Sequence, residues 1–326
     1  MSRTSAFSLL ACLLIALAGR SALAAWPERP VTLVVPWPAG GATDILARTI
    51  APLLSAELGQ PVIVVNRAGA TGNLGAEAVL QQPADGYNIF FGAASHLMNA
   101  ALYAYNKQPL RYDIIGDFKY AAVITDSRMV LVVNPGVPAN TLAEFVQLAK
   151  SRPGGLSYSS SGTGSIQHLS AELLLQTTGI RMLHVPYKGI APSVNDLVAG
   201  VVDASVESLT AVLPLIKSGK LKAVAALTEH PLPSLPEVPT AASQGYAGLW
   251  VSGPQFVGVP KATPDAVVDR LSEVFGHVLT RPEVVARLDA AGIVVHYLPR
   301  EPANSMIRSE SAKWGRLIRE ANVRID

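Results

Sequence analysis

The chain has 326 residues, 49% of them apolar and 15% charged. That balance excludes a disordered polyelectrolyte and leaves enough chain for two lobes, each with its own core. Its 26 basic residues outnumber its 24 acidic ones only because of Arg3 and Arg20, both in the N-terminal leader. Without that leader the net charge is zero and the basic excess of a nucleic-acid binder is missing.

The leader comprises residues 1–24. Arg3 supplies a positive start, residues 6–18 are almost unbroken apolar, and Ala22-Leu23-Ala24 is a cleavage pattern. These features predict a signal peptide cut after Ala24 and an extracytoplasmic, periplasmic location. The run is shorter than the roughly 20 apolar residues of a spanning helix. A lipoprotein reading of Leu9-Leu10-Ala11-Cys12 fits worse, because it leaves too short an apolar stretch before the cut and another after it. Cys12 is the only cysteine, so the chain after the leader can use neither disulfides nor thiolate chemistry.

A strand is expected over 31–35, then the loop Pro36-Trp37-Pro38-Ala39-Gly40-Gly41-Ala42-Thr43. A helix follows, with Leu46, Ile50, Leu53, Leu54 and Leu58 on one face and Gly59 at its end. Pro52 lies inside this helix and should kink it, at a cost of about 3 kcal/mol unless the surroundings adapt. A strand over 62–65, a loop over 66–73, a short helix to Gln82, a turn at Asp85-Gly86 and a strand over 87–91 complete a first β-loop-α series. Such a series implies a parallel sheet with right-handed crossovers.

The pattern restarts with a strand over 129–133. Thr141 and Glu144 form a capping box that opens a helix to Lys150. A strand over 156–160 runs into Ser161-Gly162-Thr163-Gly164-Ser165, and a helix follows to about Thr177. Strands are expected over 182–185, 201–206 and 223–227, a helix from Pro192, and an extended proline-rich loop over 231–239. The last part reads as a return to the first lobe: a strand over 256–259, helices from Thr263-Pro264 and from Pro282 to Gly292, a strand over 294–298 and a helix over 302–321.

Two loops carry the chemistry. Each lobe has a strand feeding a Gly/Ser/Thr-rich loop that opens a helix: 39–44 in the first, 159–165 in the second. A helix start offers unpaired N–H groups and the positive end of a dipole. It can bind carboxylate or phosphate without lysine, and such loops lie beyond the strand ends where α/β sheets bind ligands. Thr43, Asp44 and Ser165 are also good capping residues, so plain capping accounts for each loop taken singly. Competing motifs are absent: there is no phosphate loop of the NTPase type, no complete dinucleotide fingerprint and no G-x-S-x-G elbow. The six histidines lack metal-site spacing and read as capping or surface residues. Ser165 and His168, one turn apart, read as a cap and a packed helix residue.

The segments Pro36-Trp37-Pro38-Ala39-Gly40-Gly41-Ala42-Thr43-Asp44, Val65-Asn66-Arg67-Ala68-Gly69-Ala70-Thr71-Gly72-Asn73 and Pro83-Ala84-Asp85-Gly86-Tyr87 resemble the substrate-binding proteins of tripartite tricarboxylate transporters, also called Bug proteins. Further matches are Tyr158 to Ser165 with His168-Leu169, Val185-Pro186-Tyr187-Lys188-Gly189, and Leu235-Pro236-Glu237-Val238-Pro239-Thr240. The resemblance covers about residues 26–318.

It implies a two-lobed periplasmic-binding-protein (Venus flytrap, type II) fold of α/β class with mixed, mainly parallel sheets. Lobe 1 would comprise 25–125 plus 249–326, and lobe 2 would comprise 126–248. The implied function is capture of a di- or tricarboxylate, an acidic amino acid or an aromatic acid for a membrane permease, by a monomer without catalysis, cofactor or metal. The implied ligand contacts are Trp37, Ala39, Gly40, Gly41, Ala42 and Thr43, with Asp44 ordering that loop. From the other lobe they are Ser160, Ser161, Gly162, Thr163, Gly164 and Ser165. Ser95 and His96 are placed in a ligand-facing loop after the third strand.

Departures from the family pattern are residues 93–99, which lack its threonines, and Glu207, which follows Val206 where Phe-Asp is usual. The family's common arginine is also missing over 228–233. A ligand with an amino or hydroxyl donor would suit Glu207, as would simple solvation of that acid. An orphan ligand sensor acting with a signalling partner, or an exported hydrolase using Ser165 or His96, are the alternative functions.

Overall fold

The computed structural model describes residues 26–152, 155–290 and 293–325. The signal-peptide reading of residues 1–24 and the helix stop at Gly292 lie outside them.

The sheet is laid out along one long strand. β1 (Val31–Val35) pairs in parallel with β2 (Val62–Asn66) and β3 (Asn88–Ala93). The crossovers are α1 (Ala42–Leu58) and α2 (Asn73–Leu80), as the β-loop-α series requires. β3 meets β9 (Ser252–Pro260) antiparallel, and β9 pairs with β4 (Phe118–Val133) from Phe118 to Arg128. From Met129 onward β4 changes neighbours to β7 (Ala204–Ser208) and β8 (Lys222–Ala226), both antiparallel. Beyond β7, β5 (Ser157–Ser160) and β6 (Leu183–Pro186) continue in parallel. The parallel series expected in each half is therefore present, and the strands that join the halves run antiparallel. β10 (Val295–Pro299) lies against the first part of β4.

Helices cover both halves. In the first, Leu46, Ile50 and Leu54 of α1 pack on Val31, Leu33 and Val35 and on Val268, Leu271 and Phe275 of α8 (Asp265–Leu279). Each such buried side chain contributes about 1.5–3 kcal/mol. In the second, Met129, Leu131 and Val133 pack on Phe145 of α4 (Leu142–Ser151) and Leu169 and Leu174 of α5 (Ile166–Thr178). The opposite face of the same strand, Val130 and Val132, meets Val194 and Leu197 of α6 (Ile190–Ala199) and Val212 of α7 (Leu209–Lys217). Strand alternation sends successive side chains of β4 to these two cores. α9 (Pro282–Ala290) adds Val284 and Leu288 to the first core.

The C-terminal helix α10 (Arg300–Glu320) is shared between the halves. Its Ala303 and Ile307 pack with Phe90, Phe118 and Phe256, whereas Trp314, Leu317 and Ile318 pack with Met98, Leu102 and Phe145.

Several elements differ from expectation: β4 begins at Phe118 rather than at 129, β7 covers Ala204–Ser208 rather than 201–206, and α7 was not anticipated. Residues 94–105 form a helix, α3 (Ala94–Tyr105), where a loop carrying Ser95 and His96 was expected. The reason is an apolar stripe, Ala94, Leu97, Met98, Ala101 and Leu102, that packs inward at helical spacing. α6 starts at Ile190, behind Gly189 (φ 120°), so Pro192 is in its first turn rather than at its first position. α1 runs unbroken through Pro52, which faces solvent.

Candidate ligand site

The first loop is built around Asp44. β1 ends at Val35, and the chain passes through Trp37 to Gly40, whose φ of 86° suits glycine. Gly41 is the N-cap of α1 and has no side chain to satisfy the first-turn N–H groups. Asp44, only 3% exposed, accepts from the Gly40 N–H (2.9 Å), from Arg48 Nε (2.9 Å) and from Asn66 Nδ2 (2.8 Å). Asn66 Nδ2 also donates to the Trp37 carbonyl (3.0 Å). The Arg48 hydrogen bond, reinforced by Gly40 and Asn66 and opposed by burial, holds the Asp44 carboxyl down at about 2. Asp44 thus orders the loop, and Arg48 cancels its charge beside an otherwise positive helix start. Ala39, Gly40 and Gly41 are exposed and Thr43 is nearly buried.

The adjoining loop over 67–73 is strained: Ala70 (φ 47°) and Thr71 (φ 56°) are left-handed without being glycine. Helix α3 supports it. Asn99 Nδ2 donates to the Thr71 carbonyl (3.4 Å), and His96 Nε2 lies where a Cβ on Gly72 would stand, 2.6 Å away. His96 is wholly buried. Its Nδ1 accepts the Ala93 N–H (3.1 Å) at the helix start, and the Trp37 ring meets it edge-on at 5.2 Å. Burial pushes the imidazole down to about 4, so it is neutral at neutral pH. Ser95 sits beside it in the first turn of α3, with its hydroxyl buried.

The second loop rests on two histidines. Ser160 is buried; its hydroxyl accepts the Gly162 N–H (3.2 Å) and meets His184 Nε2 (2.8 Å). Gly164 N–H donates to His168 Nδ1 (3.0 Å), and Ser165 N–H donates to the Gly162 carbonyl (3.1 Å). His168 and His184 stack at 4.0 Å, and His184 stacks on Tyr158 at 4.8 Å. Burial, with the neighbouring His184, pushes His168 down to about 3; burial pushes His184 down to about 4. Both rings are therefore neutral; His168 Nδ1 accepts the Gly164 N–H and His184 Nε2 shares a hydrogen bond with Ser160, which holds the loop in shape. Ser165 is the N-cap of α5 and accepts the His168 backbone N–H (3.3 Å). Its hydroxyl is not paired with the His168 ring, so no nucleophile–base pair forms there. Several amides of this loop are taken up internally; Thr163 is its exposed residue.

The two loops share one floor. On β9, Gln255 Nε2 donates to Thr43 Oγ1 (2.8 Å), and Thr125 Oγ1 donates to Gln255 Oε1 (3.0 Å). Two residues back on the same strand, a Cβ on Gly253 would stand 3.2 Å from Ile166 Cδ1, at the start of α5. Residues two apart on a strand are about 7 Å apart. Helix α3 makes the same link: His96 near its start meets Trp37, and Leu102 presses on Gly164, where a Cβ would fall 2.4 Å from Leu102 Cδ2.

Gln255 and Thr125 also line a cavity of about 520 Å³, within the range of small-molecule sites. Arg128 and Lys217 supply cations to it, Asp126 and Asp289 acids, and Ser208 and Thr210 hydroxyls from the start of α7. The expected contact residues do not line this cavity themselves; Thr43 reaches it through Gln255. Glu207 is wholly buried on β7. Burial, offset by hydrogen bonds from Ser205 and Gln167, pushes it up to about 7. Gln167, Gln255, Thr125 and Arg128 had no signal in the sequence, because a lone buried polar residue is recognisable only once its partners are in place. Among the described residues, no three metal-ligating side chains cluster and no helix is long and apolar enough to cross a membrane.

A mixed α/β sheet in two halves, with a helix start from each touching β9, is the architecture of the periplasmic binding proteins. Residues 46–323 match the family described as "Tripartite tricarboxylate transporter family receptor". The chain belongs to that family, whose members are substrate-binding proteins rather than enzymes. Among its relatives, Protein BugT of Bordetella pertussis is 35% identical over 92% of this chain and 91% of its own length. The structure of R. palustris Rpa4515 with adipate is 34% identical, with a TM-score of 0.76 over 92% of this chain and 99% of that one. The periplasmic binding protein BugD is 32% identical (TM-score 0.73; 92% and 99%). MatC from Rhodopseudomonas palustris with bound malate is 29% identical (TM-score 0.72; 90% and 100%).

Proposed function

We propose that this chain captures a small carboxylate in the periplasm, after removal of residues 1–24, and delivers it as a monomer to a tripartite tricarboxylate-type permease. The lobes divide at 25–125 plus 249–326 and 126–248: β4 passes between the sheet halves at the first boundary, and the chain returns just before β9 at the second. One ligand carboxylate meets the open N–H groups at the start of α1, within 39–43, other than that of Gly40, which Asp44 already holds. The loop over 161–165 meets the ligand from the other lobe, and Trp37 walls the pocket. The observation that carries this reading is the shared floor, with Thr43 on Gln255 and Ile166 against Gly253 on one strand. The carboxylates bound by Rpa4515 and MatC support the ligand class.

A thermal-shift screen of aliphatic and aromatic carboxylates tests it, since a ligand at 100 times its Kd stabilises by about 2.7 kcal/mol. At Gly41, φ is −74° and a Cβ would meet only the Pro38 carbonyl oxygen at 3.6 Å. Gly41→Val therefore leaves the fold intact but covers the amides. Calorimetry is expected to show at least about tenfold weaker binding at a stability cost below about 1 kcal/mol. Unchanged affinity removes the helix-start contact. Ser165→Ala is the less clean probe, because it also removes a cap that contributes about 1 kcal/mol.

A further inference from the structure

Glu207 is an acid with no solvent exposure and, among the described residues, no ion pair. It stands one side chain away from the second loop. Its Oε2 accepts from Gln167 Nε2 (3.3 Å), and its Oε1 lies 3.0 Å from Ser205 Oγ. Ser205 Oγ is also 3.0 Å from the Ser159 carbonyl oxygen. At the other end of the Gln167 amide, Oε1 lies 2.8 Å from Ser161 Oγ.

The direction of these bonds is determined by what each group can do. An ionised Glu207 only accepts. If Glu207 carries a proton, the amide orientation in the structure, with Gln167 Nε2 on Oε2, places it on Oε1: Ser205 turns its own proton to the Ser159 carbonyl, which can only accept, and offers Oε1 a lone pair. Oε2 is then an acceptor in either charge state, so the NH₂ of Gln167 faces it. The amide oxygen is thereby turned to Ser161 and takes the hydroxyl proton. Ser161 has one proton to give, so its oxygen presents lone pairs to its remaining surroundings.

We infer that the buried Gln167–Glu207 pair makes Ser161 a fixed hydrogen-bond acceptor, so that the site selects carboxylates bearing a hydroxyl or amino donor over parent acids without one. The inference rests on the reading that the loop over 161–165 lines the ligand. The first-turn amides of α1 are donors and suit a carboxylate; an acceptor across from them sets which end of the ligand goes where. A parent acid without a donor would leave Ser161 desolvated and unpaired, the costlier half of any hydrogen-bond exchange. Glu207 and Gln167 are positioning residues, and Ser161 is the group that touches ligand.

Calorimetry on the full processed chain tests this with two matched sets: malate, aspartate and succinate, and 4-hydroxybenzoate with benzoate. The wild type is expected to bind the donor-bearing member of at least one set about tenfold or more tighter than its parent. Ser161→Ala removes the acceptor. Glu207→Gln, of equal size, lets the Gln167 amide turn over. Each is expected to bring the ratio within about threefold, with melting curves confirming that the variants fold. A merely structural role for Glu207 would weaken all members alike and leave the ratio unchanged, which overturns the inference. So does an equal or reversed preference in the wild type, or a preference that survives Ser161→Ala; carboxylate capture itself then still stands. Failure of every member to bind overturns both readings.

Discussion

Asp44 stands in the first turn of α1, where a ligand carboxylate would come closest, and its charge would repel one but for Arg48 at 2.9 Å. The same arrangement ties stability to pH. Its folded pKa, held at about 2 chiefly by the Arg48 hydrogen bond, lies below the ordinary value of about 3.9. The unfolded chain therefore takes up the proton first. The stabilisation is complete above about pH 4 and is lost as pH falls from there through 2. Asp44→Asn is expected to lower stability by about 1–2 kcal/mol at pH 7, discounted for the half-exposed Arg48 partner. Urea unfolding should show the gap between wild type and variant narrowing below pH 4. The residue types at this site were legible: Gly40, Gly41, Thr43 and Asp44 stand out in a loop between a strand and an apolar-periodic helix. The loop-ordering role of Asp44 was implied by the family resemblance, not by the residues themselves. Whether an acid faces a ligand or braces a loop depends on Arg48 and Asn66, which are four and 22 residues away.

Among the helices, α1 holds its shape despite Pro52. The ring faces solvent, where water can satisfy the Arg48 carbonyl that lacks its i+4 donor. The buried face, Leu46, Ile50 and Leu54, packs in the first core, and the helix continues past the proline. Pro52→Ala is expected to stabilise the chain by about 1–2 kcal/mol, the helix gain being partly offset by a freer unfolded state. A lower urea midpoint for the variant would show that the ring contributes packing. The helices with caps were readable from sequence: Thr141 accepts the Glu144 N–H at 3.2 Å as its capping pattern required. α3 also carried a readable period, but His96 interrupts it with a polar residue. Only the Ala93 N–H and the Trp37 and Phe90 rings explain why a histidine is buried there.

At the scale of the whole molecule, the halves are joined by β4, β9 and the shared helix α10. At the crossing, Asp126 Oδ1 accepts from the Gly253 N–H (2.7 Å) and from Ser252 Oγ (2.9 Å). Those bonds clip the two strands together just before β4 changes its neighbours. A ligand held from both sides stabilises whichever arrangement brings the loops nearest. Small-angle scattering is expected to show the radius of gyration falling in saturating carboxylate toward the ~19 Å of a compact chain of this length. Gly41→Val at the same concentration should show no such change. An identical radius with and without bound ligand would argue against closure.

Local pattern alone determined that this chain builds two β-loop-α series, each with a glycine-rich loop opening a helix. Strand alternation, helical period and capping residues act over a few neighbours and survive in the sequence. Only the tertiary structure decided that these loops share a floor, through Gln255, Gly253 and α3. It alone turned Glu207 and Gln167 toward Ser161, because burial and hydrogen-bond direction depend on residues brought together from distant parts of the chain.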